Sequence, residues 1–222
     1  MKAIQVHAFG GPETLVFEDA FEPQPQAGEV LNRVHAVAIT PTEFAWEPTW
    51  RTRSGKARPF PIILGHEFSG VIAKLGPGVT DFSMGDAVYG MNNWFGDGDQ
   101  AEYCLARTEE VSAKPKSLSH VEATVVPISG LTAWQGLFER AGLAVGQRIL
   151  IHGAAGGVGV FAVQLACWRG ARVIGTASAG NLDFVRQLGA NDVVDYRTQC
   201  FEEVVRASST SSPSMILAIT TQ

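Results

Sequence analysis

The segment His152-Gly153-Ala154-Ala155-Gly156-Gly157-Val158-Gly159 joins an almost wholly apolar run, RILIHG, to a stretch with helical spacing of apolar residues. Those residues are Val158, Phe161, Ala162, Leu165 and Ala166. A strand that passes through small residues directly into a helix is the context in which a glycine pattern carries chemistry. Backbone N–H groups at the helix start can face a pyrophosphate, and small residues let the phosphates come close. Gly156 would permit that approach and Gly159 would let helix and strand pack. Ala154 stands where the first glycine of G-x-G-x-x-G normally lies, so the turn is a variant. A tight turn in an α/β protein without a dinucleotide would need similar residues; the strand–turn–helix context favours the dinucleotide.

An acidic residue ~20 positions on, at the end of the second strand, would hold the adenosine ribose hydroxyls of NAD. Here that strand ends Gly175-Thr176-Ala177-Ser178, with no carboxylate. Nothing there repels a 2′-phosphate, and Ser178 either donates a hydrogen bond to one or simply opens a loop. NADP(H) is therefore favoured, although no Lys or Arg lies between Arg172 and Arg186.

The elements that must position these groups are legible from period and punctuation. From Arg148 the order is strand (RILIHG), helix ending at Gly170, strand (RVIGTA), helix (NLDFVRQLG) and strand (NDVVDY). This βαβαβ order implies a parallel sheet with right-handed crossovers. The first 115 or so residues read instead as short strands, MKAIQVHAF, EVLNRVHAVAI, FSGVIAKLG, DAVYG and AEYCLAR, separated by Gly/Pro/Asp turns. That spacing suggests a barrel-like all-β unit. Ser119-His-Val-Glu122 fits a capping box, and LTAWQGLFERAG reads as a second helix closed by Gly142. The expected domains are 1–118, all-β, and 119–222, dinucleotide-binding.

Composition fits a folded globular protein: 222 residues, 45% hydrophobic and 18% charged, enough to bury a core. A net charge of −5, with no basic run, argues against a nucleic-acid surface. No apolar stretch reaches the ~20 residues of a membrane helix, and the strand-like N-terminus lacks a signal peptide's apolar core. Cys104, Cys167 and Cys200 are odd in number and widely spaced, as for reduced thiols in a cytoplasmic protein.

With GHEFSGVIAKLGPGV (65–79), LTAW (131–134) and GAAGGVG (153–159) in this order, the chain resembles the medium-chain dehydrogenase/reductase superfamily. Within it, ITPTEFAWEPTW, PISGLTAW and IHGAAGGVG are similar to the zinc-free, quinone-oxidoreductase-like (zeta-crystallin-like), NADP-dependent branch. The resemblance runs from residue 1 to about 206. It implies a GroES-like β-barrel catalytic domain followed by a Rossmann domain, with the active site in the cleft between them. It also implies NADPH-dependent reduction of quinones or of the C=C bond of α,β-unsaturated carbonyls, and a homodimer for full-length members. Cofactor contacts implied in the same way are Thr132, the loop Gly153–Gly159, Ser178 and Tyr196; a basic residue frequent in the branch near position 180 is here Gly180.

The zinc-dependent members hold catalytic metal with a Cys, the His of GHE and a second Cys. By alignment Thr40 and Ile128 take the cysteine positions, leaving His66 alone, and one imidazole does not make a catalytic zinc site. The four-cysteine structural zinc lobe has no counterpart between Tyr89 and Ala101. The expectation is no metal, which removes a zinc alcohol dehydrogenase from contention. Without a Lewis acid the substrate's own carbonyl must take up the charge, as an enolate or hydroquinone anion, while the protein positions and desolvates. Thr40, where the branch often has Asn, could donate a hydrogen bond to that oxygen. Tyr89 or water could supply the proton. Phe44, Trp46 and Trp50 either wall a planar substrate or pack beneath a loop.

After Glu202–Arg206 the family would continue into a fourth strand and further βα units, whereas this chain runs ASSTSSPSMILAITTQ. ASSTSSPS (207–214) reads as a polar loop, and MILAIT could form an edge strand in the fourth position. The expectation is a complete barrel joined to about half of a Rossmann domain, C-terminally incomplete against the family. A non-catalytic protein that binds a dinucleotide or a partner is the competing expectation.

Overall fold

The computed structural model describes residues 1–207 and 218–219. They fall into two compact units, Met1–Ile128 and Ser129–Gln222.

The first unit is all-β with short helical turns, among them α1 Glu47–Trp50. A five-stranded sheet has the order β7-β3-β5-β6-β8, with β3 Glu29–Val37, β5 Glu67–Leu75, β6 Ala87–Met91, β7 Tyr103–Arg107 and β8 Val111–Ala113. A three-stranded sheet has the order β2-β1-β4, formed by β1 Lys2–Val6, β2 Leu15–Asp19 and β4 Ile62–Ile63. The two meet at an Ala3–Ala101 bridge and through Ile4 N–H donating to Gln100 O, at 2.8 Å. Antiparallel pairing with alternating burial packs Val30, Phe68, Ile72, Val88, Cys104 and Ala106 into one core; Val6, Trp50, Ile62 and Leu64 form a second. All five runs read as strands contain one. β2, β4 and β8 are short, and Val16 and Phe17 of β2 are exposed, so the alternation that marks a strand is weak there.

The capping box forms as expected. Ser119 Oγ accepts from Glu122 N–H at 3.2 Å, and Glu122 Oε2 accepts from Ser119 N–H at 2.8 Å. Its helix, α2 His120–Ala123, is a single turn. Thr124 Oγ1 donates to Glu67 O at 3.1 Å, and Ile128 N–H to Glu67 Oε2 at 2.9 Å. These two bonds carry the segment after 118 into the all-β unit, which extends to Ile128.

The second unit is a parallel sheet of order β11-β10-β9-β12, with β9 Arg148–Ile151, β10 Arg172–Ala177, β11 Asp192–Asp195 and β12 Ala218–Ile219. The helices α4 Gly157–Trp168 and α5 Leu182–Gln187 make the crossovers β9-α4-β10-α5-β11. They cover one face, where Ile149, Ile151, Ala162, Val163, Val173 and Val185 are buried together. The helix α6 Phe201–Ala207 follows β11, and its Phe201, Val204 and Val205 pack on Leu150, Ile174 and Val194 of the opposite face. A right-handed crossover that reverses direction along the sheet must change face, and β12 then pairs with β9 on the far side from β10. The last two described residues thus take the fourth-strand position expected of MILAIT. The polar loop read at 207–214 lies outside the described residues except at Ala207. The helix α3 Pro127–Trp134 continues as a π-helical turn over Gln135–Arg140, and Gly142 closes it at φ 60°. No helix among the described residues is long and apolar enough to cross a membrane.

Candidate functional site

In the second unit the glycine-rich turn stands at the C-terminal end of β9, where the strand order reverses between β10 and β12. Open α/β sheets bind ligands at that point. Gly153 takes φ 63°, and its N–H donates to Thr176 Oγ1 at 3.3 Å while Ala154 N–H donates to Thr176 O at 3.0 Å. Thr176, which sequence reasoning passed over, thereby ties the turn to β10. Ala154 is fully buried against the sheet. Gly156 N–H donates to Gly153 O at 2.8 Å, and α4 starts with Gly156 as its N-cap. The N–H groups of Ala155, Gly157, Val158 and Gly159 have no hydrogen-bond partner among the described residues, as expected of a helix start. A Cβ at Gly159 would overlap Gly153 O and stand 2.8 Å from Ala154 Cα; only glycine lets α4 lie this close to the turn. This cradle of free amides fits a dinucleotide's pyrophosphate.

Ser129 Oγ of α3 stands 3.4 Å from where a Cβ on Gly157 would lie, so α3 borders the cradle. Thr132 is exposed on α3, three residues further on. Ser178 follows β10, half-buried, with Asn181 Nδ2 donating to its Oγ at 3.4 Å. Ala177 pairs with Asp195, and Tyr196 N–H donates to Ala177 O at 3.3 Å. Ser178 and Tyr196 therefore leave neighbouring strand ends side by side, although 18 positions separate them in the chain. The Tyr196 ring is exposed.

In the first unit the end of β3, the start of β5 and the end of β6 come together. Ala38 N–H donates to Glu67 O at 3.2 Å, and Met91 pairs with Glu67. Thr40 heads a 3-10 turn, Pro41–Ala45, from which Glu43 Oε1 accepts Gly65 N–H at 2.8 Å and lies 3.4 Å from His66 Nε2. His66 Nδ1 is 3.1 Å from Asn92 Oδ1. Asn92 Nδ2 donates to Gly65 O at 3.3 Å, which turns the amide oxygen toward the ring, so the imidazole proton sits on Nδ1. Burial, more than any neighbouring charge, lowers the His66 pKa to about 4, and burial likewise raises Glu43 and Glu67. His66 is neutral at pH 7.

Trp46 and Trp94 flank His66, with ring centroids 6.3 and 4.6 Å from it. Trp94, inside a loop read as a plain turn, was not singled out from sequence. Trp50 instead packs in the core with Phe44, its Nε1–H donating to Phe44 O at 2.8 Å. Of the aromatic segment, then, Trp46 lines this region and Trp50 packs beneath it. Tyr89 lies two positions into β6 from Met91, opposite Ser69 and Ser112 and half-buried. Thr40 O accepts Glu43 N–H at 3.0 Å, and Ile128 N–H donates to the side chain of Glu67, the residue after His66. Among the described residues no group of three or more His, Cys, Asp or Glu side chains is arranged to hold a metal ion.

A family described as the alcohol dehydrogenase GroES-like domain matches residues 26–182, and one described as zinc-binding dehydrogenase matches 157–218. The chain is 34% identical over 209 residues to a chloroplast envelope quinone oxidoreductase homolog of Arabidopsis thaliana, covering 89% of this chain and 62% of that one. It is 34% identical over 217 residues to 2-methylene-furan-3-one reductase of Solanum lycopersicum, covering 92% and 54%. Among solved structures, a quinone oxidoreductase from Coxiella burnetii superposes with TM-score 0.83 at 34% identity, covering 92% of this chain and 65% of that one. The Escherichia coli quinone oxidoreductase complexed with NADPH gives TM-score 0.80 at 27% identity, covering 93% and 62%. The chain thus spans less than two thirds of the length of these proteins.

Proposed function

This chain belongs to the alcohol dehydrogenase GroES-like family, in its quinone-oxidoreductase-like medium-chain branch, and on that premise we propose an oxidoreductase that transfers hydride from NADPH to a quinone or to the C=C bond of an α,β-unsaturated carbonyl, without zinc. The observation that carries this reading is the cradle of unpaired amides at the start of α4, at the switch point of a parallel sheet. Its free N–H groups and helix dipole stabilise two adjacent phosphates. NADPH, when bound, supplies the hydride. The chain's residues bind and orient: Ala155, Gly157, Val158 and Gly159 through backbone N–H, Thr132 and Ser178 through hydroxyls, and Tyr196 through its exposed ring at the adenine end. The lack of a carboxylate after β10 supports NADP(H) over NAD.

Zinc does not fit the first unit. At the aligned positions Thr40 and Ile128 bring no thiolate, and His66, the imidazole between them, turns its Nε2 toward buried Glu43. The reaction is then one the substrate can support by itself. Hydride adds to the β-carbon, the electron pair moves onto the carbonyl oxygen, and Thr40 Oγ1 donates a hydrogen bond to that oxygen. The single proton that completes the reduction, onto the enolate or the hydroquinone anion, comes from Tyr89 or water. Trp46 and Trp94 offer flat faces to a planar acceptor. We extend the proposal to a cytoplasmic location, on the odd number and wide spacing of Cys104, Cys167 and Cys200.

Fluorescence titration of the purified chain with NADPH and NADH, followed by NADPH oxidation with a simple quinone and an enone, tests the proposal. Tighter NADPH binding with turnover is expected, and Thr40→Val should lower kcat more than it changes KM. Binding without turnover would favour a non-catalytic dinucleotide-binding protein; no binding of either dinucleotide overturns the reductase reading and leaves the partner-binding alternative.

A further inference from the structure

We propose that Arg197 is the cation that selects the 2′-phosphate of NADP(H), an inference that rests on the dinucleotide reading of the second unit. The loop after β10 carries Ser178 but no basic residue between Arg172 and Arg186, so by sequence a phosphate there meets a hydroxyl and no positive charge. Tertiary pairing supplies one. β11 runs parallel to β10 in register Ala177–Asp195, and Tyr196 N–H donates to Ala177 O at 3.3 Å. The chain leaving β11 therefore emerges beside Ser178, with Arg197 next in line.

The turn that presents Arg197 is fixed. Asp195 Oδ1 accepts Arg197 N–H at 3.0 Å and Oδ2 accepts Thr198 Oγ1 at 3.1 Å. Gln199 returns to Asp195 at both backbone groups: its N–H donates to Asp195 O at 2.9 Å, and its Oε1 accepts Asp195 N–H at 3.1 Å. The Asp195 carboxylate is thus committed to the turn. The exposed Arg197 guanidinium lies 5.8 Å from the centroid of the Tyr196 ring, and no carboxylate is within ion-pair distance of it among the described residues.

Elimination points the same way. Residues 129–222 contain seven arginines and no lysine. Arg140 and Arg148 lead into β9, and Arg172 opens β10, paired with Asp192 at 3.0 Å. Arg169 caps the far end of α4, where its Nε donates to Leu143 O at 3.3 Å. These four lie at the N-terminal ends of the strands, opposite the cradle. Arg186 is paired with Asp183 at 2.6 Å, and Arg206 lies in the last turn of α6. Arg197 is the remaining guanidinium, standing where β10 and β11 end. A guanidinium matches phosphate geometry with two parallel N–H donors, and Ser178 Oγ adds a third donor.

The test compares NADPH, NADH and 2′,5′-ADP titrations of the wild-type chain, Arg197→Gln and Arg197→Lys, at low and high salt. Arg197→Gln should weaken NADPH and 2′,5′-ADP by about tenfold or more and leave NADH within about twofold, because NADH has no 2′-phosphate. Arg197→Lys should retain part of the preference, and added salt should erode the wild-type preference. Equal weakening of all three ligands, or of none, overturns the assignment while the dinucleotide reading stands. A wild-type chain that binds neither NADPH nor NADH overturns the dinucleotide reading and this assignment with it.

Discussion

His66 Nε2 lies 3.4 Å from Glu43 Oε1, with both side chains buried, and the imidazole proton is held on the opposite nitrogen by Asn92. Nε2 therefore presents a lone pair to a carboxyl whose pKa burial raises. With the imidazole uncharged at pH 7, the contact is not an ion pair. In the folded chain His66 titrates near 4, against about 6.5 when unfolded. A lowered pKa on a base means that the unfolded state takes up the proton first, so this group's stabilisation is lost as pH falls from about 6.5 toward 4. NMR titration of the ring should give a midpoint near 4. The stability of His66→Gln relative to wild type should rise as pH is lowered through that window, by up to about 1.4 kcal/mol per pH unit. A midpoint near the ordinary imidazole value would refute this.

Asp99 gives the opposite sign. It is fully buried with neither carboxyl oxygen hydrogen-bonded, and burial first, then Glu43 and Glu67, hold its pKa well above the ordinary value. The folded chain keeps a proton that the unfolded chain releases near pH ~4. Its contribution is present below that pH and is lost as pH rises toward the folded pKa. Asp99→Asn cannot ionise, so its stability relative to wild type, measured by urea unfolding, should be greater at pH 8 than at pH 5. An unchanged difference at the two pH values would show that Asp99 does not hold that proton.

His35 and His120 stack with centroids 4.6 Å apart and planes at 23°. His120 Nδ1 is 2.7 Å from Ser69 Oγ. Its pKa is lowered by burial, then by His35 and Lys114. His35→Ala removes one of those charges and should raise the His120 midpoint measured by NMR. Lys114→Gln should raise it less. An unmoved midpoint in His35→Ala would remove His35 from the causes and leave burial and Lys114.

Two neighbouring glycines separate folding from binding. A side chain at Gly159 meets the Gly153 carbonyl and the Ala154 backbone, so Gly159→Val should destabilise the chain by about 2–3 kcal/mol, as overpacked sites do. At Gly157 an added Cβ has only Ser129 Oγ nearby, at 3.4 Å. Gly157→Val should leave the unfolding midpoint nearly unchanged yet weaken dinucleotide binding by about tenfold or more, because it fills the space where phosphate approaches the free amides. Equal binding by Gly157→Val and wild type would move the phosphates away from this turn.

The sequence by itself determined the order of elements, the strand–turn–helix at 148–168 and the capping box at Ser119, because each depends on local period, punctuation or contacts three or four residues apart. It also pointed to the lone imidazole at 66, since ligand atoms are a matter of residue type. Weakly alternating strands such as Leu15–Asp19 stayed hidden, as did Trp94, whose meaning comes only from the ring it faces. Tertiary structure alone decided that His66 is neutral, since its pKa depends on burial and on Asn92, 26 positions away. It alone placed α6 on the opposite face of the sheet from α4 and α5. It alone set Tyr196 against Ala177, at the strand end that Ser178 follows, because parallel pairing joins residues that the intervening helix separates in sequence. The charge missing from the loop after β10 is carried by the neighbouring strand.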